Sequence, residues 1–335
     1  AGFQVNMDFP NNRFMLALSV GASLFIVVLV DQLFRTQTQK IALLAVLVSF
    51  CVGANYLIAQ DYRAAWQKQT KFFTELTWRA PKMEEKTTLI SPNLPFSQLF
   101  SGTSLTAPLN LIYAPQTQGN PIPYQLILAA TNERVYIPSI TADQPINARL
   151  RSFLFQGNTS DMIVFHAPEK GCLQFLQPTS NPAAFFDQPD AELWRQLLPL
   201  SDLSRVHNDS TQTQVPENYF GAVNPQTWCY YYEKAELANQ FEDWAKTTAL
   251  FVEVESLSLS PENNYEYLPF MRAFYETGNL ETALDISTAI EAPSLQTRLA
   301  LCEFWLEPSR YQSAAPQKAR LDGLLKGWQC EGNYD

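Results

Sequence analysis

Two histidines occur in the chain, and His166 closes an apolar run, "DMIVFHA", that reads as a strand. A strand-end imidazole is a candidate general base, although a lone histidine in that place is more often simply hydrogen-bonded. Glu84-Glu85-Lys86 brings two carboxylates together. Adjacent residues do not face one substrate, so a solvated turn is expected there rather than an acid pair. "SGTSLTAPLN" follows a strand-like run and opens a helix, the place where α/β folds bind anions. It holds a single glycine, Gly102, and no basic neighbour, so the signal is weak. Cys51, Cys172, Cys229, Cys302 and Cys330 form no Cys-x-x-Cys pair, and with His166 and His207 they do not make up a zinc ligand set. Cys51 lies in an apolar run and reads as inert packing. The other four could form disulfides outside the cytoplasm, and spacing leaves the pairing open. Neither a G-x-S-x-G, a P-loop nor a G-x-G-x-x-G is present. Asn158-Thr-Ser and Asn208-Asp-Ser fit the N-glycan sequon, a pattern that chance produces often. No catalytic, cofactor-binding or metal-ligating residue is assigned.

The remaining chemistry is aromatic. "WCYYYEKAELANQFEDWAKTTALF", from Trp228 to Phe251, packs seven aromatic residues into twenty-four. As a stacking platform for nucleic acid it lacks a basic face: 23 Lys+Arg stand against 33 Asp+Glu, for a net charge of −10. Nucleic acid is therefore not expected as a partner. The alternative is that the run is mostly the inside of a helical array, leaving the outer parts of Tyr230, Tyr231 and Tyr232 as candidate partner-binding positions on a concave surface.

Two apolar runs dominate the first sixty residues. Phe14–Leu33 holds one acid, Asp31, and Ile41–Ala59 holds no charge. Each just meets the ~20 residues that a membrane-crossing helix needs, and the linker "FRTQTQK" is a turn. Residues 1–61 are thus expected to form a transmembrane hairpin, with a pair of buried core helices as the soluble alternative. Small residues in "GASLF" and at Gly53-Ala54 suit close helix approach. Arg35 and Lys40 in the turn are outnumbered by Arg13, Arg63, Lys68 and Lys71 on the other flank. A positive-inside count therefore puts the turn outside, though the rule is weak beside long domains. The opening "AGFQVNMDFPNNRF" has no basic n-region and cleavage site, so it is not read as a signal peptide, and an upstream portion is expected.

"YRAAWQKQTKFFTELTWRA" spaces Tyr62, Trp66, Phe73 and Leu76 as an amphipathic helix leaving the membrane, ended by Pro81. Between 62 and 215, "TTLIS", "YQLILAA", "DMIVFHA" and "CLQFLQ" read as strands, and "TSLTAPLNLIYA" as a helix with Pro108 near its first turn. Strand, helix, strand in that order predicts a small α/β layer with parallel pairing. A hairpin through Glu169-Lys170-Gly171 and a helix at "DAELWRQLLPLSDL" complete it, before a polar linker. From 216 to 335 the pattern is helical. Glu242-Asp243-Trp244 aligns, 36 residues on, with Gly278-Asn279-Leu280. Gly278, Leu280 and Ala283 keep the spacing of tetratricopeptide repeats, degraded in the first copy to Glu242 and Thr247. Trp244 and Leu280 are expected to point into the groove between paired helices, and "LQTRLALCEFWLE" to open a further unit.

"FPNNRFMLALSVGASLF", "DYRAAWQKQTKFFTELTWRAP", "SLTAPLNLIYAP" and "WCYYYEKAELANQ" together resemble the C-terminal end of bacterial polytopic membrane proteins that are similar to C-type glycosyltransferases. That is the lipid-phosphosugar-dependent class that includes protein mannosyltransferases. The resemblance covers most of the chain but no catalytic signature. In that class the catalytic acids lie in an early extracytoplasmic loop, and Asp8 alone does not match it. The resemblance implies an integral membrane protein of the cell membrane, with its soluble part extracytoplasmic. It implies an accessory domain of a glycosyltransferase-like protein, with a lipid-linked sugar as a partner of the full-length molecule. The alternative is a non-catalytic scaffold anchored in the bilayer that recruits a protein through its helical repeats.

Overall fold

A computed structural model describes residues 16–96, 101–131, 136–137, 139–150, 153–180, 191–208, 213–290, 294–314 and 317–330. Asp8 and Arg13 lie outside them. The chain divides into two compact units. One runs to Lys68; the other comprises Gln69–Pro95 and the chain from Phe100 onward.

In the first unit, α1 (Leu16–Leu33) and α2 (Gln37–Arg79) are joined by a short turn. By length and composition α2 can cross a membrane, and α1 is a shorter apolar helix. Between residues 18 and 59, Val30 is the one buried residue, while Leu24, Phe25, Phe50 and Leu57 are each more than half exposed. Gly21 and Gly53 do not bring helices together: a Cβ built on either meets no atom within 4 Å. The small residues therefore leave a smooth outer face rather than a tight crossing. Near the turn, Lys40 pairs with Asp31.

In the second unit, the end of α2 is a core element and not an amphipathic one. Every residue from Phe72 to Ala80 is buried, Arg79 among them. Pro81, which cannot continue a helix, follows its end. β1 (Lys82–Met83) then pairs antiparallel with β8 (Val206–His207). β2 (Thr88–Ser91), β3 (Gln125–Leu128), β6 (Met162–His166) and β7 (Gln174–Phe175) form one sheet in the order β3-β2-β6-β7. β2 is parallel to both neighbours, and β7 returns antiparallel to β6. All four residues of β2 and β3 are buried, as expected of parallel strands covered on both faces. The β6–β7 return passes through Gly171, whose φ of +106° suits glycine, and a Cβ there would collide with the Glu266 carboxylate.

Helix α3 (Gly102–Tyr113) links β2 to β3. Ser101 caps it, and Pro108, its seventh residue, sits in its second turn and not near its first. An antiparallel hairpin of β4 (Pro145–Leu150) and β5 (Phe153–Asn158) adds to this region, with Ile146, Ala148 and Phe155 buried. α4 (Ala191–Leu197) lays Trp194 into the same core.

Among the described residues, eight further helices follow: α5 (Glu217–Phe220), α6 (Trp228–Gln240), α7 (Trp244–Ser256), α8 (Leu268–Glu276), α9 (Leu280–Ala289), α10 (Leu295–Leu306), α11 (Pro308–Ser313) and α12 (Lys318–Gly327). The α6–α7 and α8–α9 connections have the same geometry. Glu242 and Gly278 take left-handed φ values of +57° and +81°. The next backbone N–H returns to the helix, from Asp243 to Ala238 at 2.9 Å and from Asn279 to Phe274 at 2.8 Å. The Asp243 and Asn279 side chains then cap the following helix, accepting from the N–H groups of Lys246 and Thr282. Thr247 and Ala283, one turn on, are both fully buried. Trp244 and Leu280 are only half-buried, because each is the first residue of its helix and is covered on one side. The interior is filled instead by Phe251, Phe270, Met271, Leu284, Leu301 and Trp305.

Two disulfides close this unit. Cys172–Cys229 ties the β6–β7 return to the first turn of α6, with Cα atoms 5.2 Å apart. Cys302–Cys330 ties α10 to the segment after α12, at 5.4 Å. Both separations lie in the range that disulfides require. Cys51 is free and exposed on α2.

Candidate functional site

The three tyrosines do not form a surface. Tyr232 and Tyr231 are buried, and Tyr230 is half-buried with its ring 5.2 Å from that of Trp78 on α2. The end of α2 occupies the face that a partner would need. His166 is half-buried with its ring edge-on to Trp194 at 5.7 Å. Burial pushes its pKa down to about 4, so it is neutral and weakly basic at physiological pH. The Ser101 and Ser104 hydroxyls cap α3, which engages the groups an anion would need. Glu84-Glu85-Lys86 is a turn around the buried Arg205. Arg205 donates to Thr87, Asp161 and the Glu85 carbonyl, with Glu84 3.4 Å away. The Asn158 side chain accepts from the Ser160 N–H, and Ser210 of the second sequon lies outside the described residues.

What the fold does assemble is a group of ionisable side chains where α2, the β6–β7 return and the helices meet, with Glu75 and Glu266 buried and Lys71 and Glu262 at the surface. Glu75 accepts from the Leu173 N–H at 2.9 Å, Glu266 from the Cys172 N–H at 2.8 Å, and Glu262 from the Gly171 N–H at 3.1 Å. Lys71 donates to the Gly171 carbonyl at 2.7 Å. The return is therefore clasped from both sides by carboxylates and held by the Cys172–Cys229 bond. Desolvation raises Glu75 and Glu266 each to about 7, against the lowering effects of Lys71 and the Leu173 N–H on Glu75 and of the Cys172 N–H on Glu266. Deeper still, Glu233 is fully buried and neither of its oxygens has a hydrogen-bond partner. Burial lifts its pKa well above the carboxylate range. Arg79 lies 4.9 Å over the Phe175 ring with its Nε and one terminal nitrogen unpartnered. Burial lowers its pKa, and the neighbouring Glu236 and Glu233 carboxyls oppose that shift.

Phe175 and Glu236 also line a cleft of about 430 Å³, bounded by the chain after β7 and by α6, α8 and α10. That volume lies within the ~300–1,000 Å³ of small-molecule sites. Glu236 from α6, Tyr265 from the turn before α8, and Arg272 from α8 converge on it. Burial raises Glu236, while Arg79 and Arg272 hold it down. The α10 side supplies Phe304 and Glu303, with Arg310 stacked 4.4 Å over the Phe304 ring and 3.4 Å from Glu307. Among the described residues, no histidine or cysteine lines the cleft. It is equipped to bind through hydrogen bonds. None of its residues is singled out by the sequence, because they come from four separate segments with no shared spacing.

Among the described residues, no group of three or more His, Cys, Asp and Glu is placed to hold a metal ion. No protein-family model, curated protein or solved structure matches the chain.

Proposed function

We propose that the chain is anchored in a membrane by α1 and α2 and carries its second unit on the extracytoplasmic side. In this reading it is the C-terminal accessory domain of an integral membrane, glycosyltransferase-like protein. The observation that carries the placement is the state of the cysteines. All four in the second unit are paired, and the one in the apolar helix is free. Stable disulfides belong to oxidising compartments and are rare in the cytoplasm. That outweighs the excess of basic residues beside the unit, since long domains cross largely regardless of charge. The bare apolar faces of α1 and α2 support anchoring, because rows of exposed leucine, valine and phenylalanine need an apolar surrounding. The glycosyltransferase part rests on the sequence resemblance, and the sugar-bearing lipid would belong to the full-length molecule. The matching connections of α6–α7 and α8–α9 support a tetratricopeptide-like pair of hairpins. A scaffold that recruits a protein through these hairpins is the less favoured function, since Tyr231 and Tyr232 are buried and Tyr230 packs on Trp78 of α2.

The test is made on the full chain in cells. It should stay with the membrane through alkaline carbonate washing. A cysteine placed at the exposed Glu255 (Glu255→Cys) should react with a membrane-impermeant maleimide before lysis. Release by carbonate would remove the anchor. Labelling only after lysis would put the second unit in the cytoplasm.

A further inference from the structure

The cleft beside α6 and α8 gathers polar groups that are short of hydrogen-bond partners among the described residues. The Glu236 carboxylate, the Tyr265 hydroxyl and the Arg272 guanidinium make no hydrogen bond with any described residue. Arg272 is placed by stacking over the Trp244 ring at 5.4 Å. The Gln240 side chain gives its N–H to the Leu203 carbonyl at 2.8 Å, which leaves its buried Oε1 without a donor. Neighbouring Asn239 is fully engaged, donating to the Pro269 carbonyl and accepting from Thr247, so it only fixes the end of α6. Two acceptors and two donors thus face one space whose walls include the Phe175 and Phe304 rings.

The mixture restricts what fits. A hydrocarbon would leave all four groups unpaired and desolvated, which is unfavourable. A phosphoryl group would meet Glu236, Glu303 and Glu307 alongside the arginines. An ammonium group would be brought towards Arg79 behind Phe175 and Arg272 at the rim. An uncharged hydroxyl donates and accepts at one oxygen. It can give to Glu236 or Gln240 and receive from Tyr265 or Arg272 without adding charge. Several hydroxyls on a small ring, with a C–H face for the aromatic walls, meet every requirement together. We propose that this cleft is a binding site for a saccharide unit, with Glu236 and Gln240 Oε1 as acceptors and Tyr265 and Arg272 as donors. The proposal deepens the function above, and rests on it only in taking glycan as the material at hand. The membrane topology does not enter.

The test uses the full chain in phospholipid nanodiscs, free of glycoside detergent. Saturation-transfer NMR is recorded with glucose, galactose, N-acetylglucosamine and maltose, and with inorganic phosphate and hexylamine as contrasts. At least one of the sugars should receive transfer on its ring protons. Affinity should fall about fivefold in Tyr265→Phe and about tenfold in Glu236→Ala, the scale of a lost neutral and a lost charge-assisted hydrogen bond. Arg272→Ala, at an exposed position where folding is not at stake, should weaken the same signal about fivefold. Absence of transfer to every sugar overturns the proposal. So does binding of phosphate or hexylamine in preference, or a sugar signal that survives all three substitutions. A negative result here leaves the thiol-labelling and carbonate outcomes standing, so the two readings fail separately.

Discussion

Glu75 and Glu266 show how burial turns ordinary acids into pH-dependent fasteners. Each holds a backbone N–H of the β6–β7 return, and each is lifted from 4.5 to about 7, chiefly by desolvation. A raised acid binds its proton more tightly in the folded state than in the unfolded chain. Its contribution to stability is therefore full below about 4.5 and is lost as pH rises through about 7. The expected outcome is a melting temperature that falls between about pH 5 and about pH 8, with on the order of 1–3 kcal/mol at stake per carboxylate. Glu75→Gln with Glu266→Gln keeps the acceptor oxygens and removes the titration, so the slope should flatten. A slope unchanged in the double variant would assign the pH dependence to other groups. The tyrosine run carries a simpler residue-scale lesson. Consecutive helical positions are ~100° apart, so Tyr230, Tyr231 and Tyr232 cannot share one face, and two of them are buried. The helical period alone makes that division legible in the sequence.

Among elements, the two helix connections make the strongest internal comparison. Gly278 and Glu242 occupy the same left-handed place, and a Cβ on Gly278 meets no atom within 4 Å. The difference between the two positions is therefore conformational and not steric. A non-glycine residue in this region costs ~1–2 kcal/mol, partly offset by the greater freedom of glycine in the unfolded chain. Glu242→Gly should stabilise the protein by ~0.5–1 kcal/mol, and Gly278→Glu should destabilise it by a similar amount. Thermal melts of the two single variants check both signs, and movement in the same direction would mean that the connections are not equivalent. The equivalence was legible from the 36-residue offset, as were β2, β3, β6 and β7 from their apolar runs. The β4–β5 hairpin leaves a different signature: in "PINARL" buried Ile146 and Ala148 alternate with exposed Asn147 and Arg149, a period-two pattern and not a continuous apolar run. The cleft was not legible, since only tertiary packing brings Glu236, Tyr265 and Arg272 together. Burial along the end of α2 is hidden in the sequence because charged and polar residues such as Glu75, Thr77 and Arg79 interrupt its apolar pattern.

For the whole molecule, the cysteines connect stability to location. The second unit is built from a small sheet and a short helical array, and the Cys172–Cys229 bond crosses between them where the carboxylate clasp already acts. It closes a span of 57 residues, and Cys302–Cys330 closes one of 28. By chain entropy each limits the unfolded ensemble by roughly 4 kcal/mol, a value that native strain can reduce. Such a contribution is comparable with the net stability of many domains, ~5–15 kcal/mol, so the unit should depend on oxidation. Cys51, on a helix whose surface is apolar, has no partner and should stay a thiol. The chain isolated from cells and unfolded without reductant should therefore titrate a single thiol, and all five cysteines after reduction. Reduction under native conditions should lower the melting temperature and expose the β6–β7 return to protease, and Cys172→Ser with Cys229→Ser should reproduce both effects. Five thiols before reduction, in protein that nevertheless melts at the same temperature with and without reductant, would place the unit in a reducing compartment and remove the main support for its extracytoplasmic side.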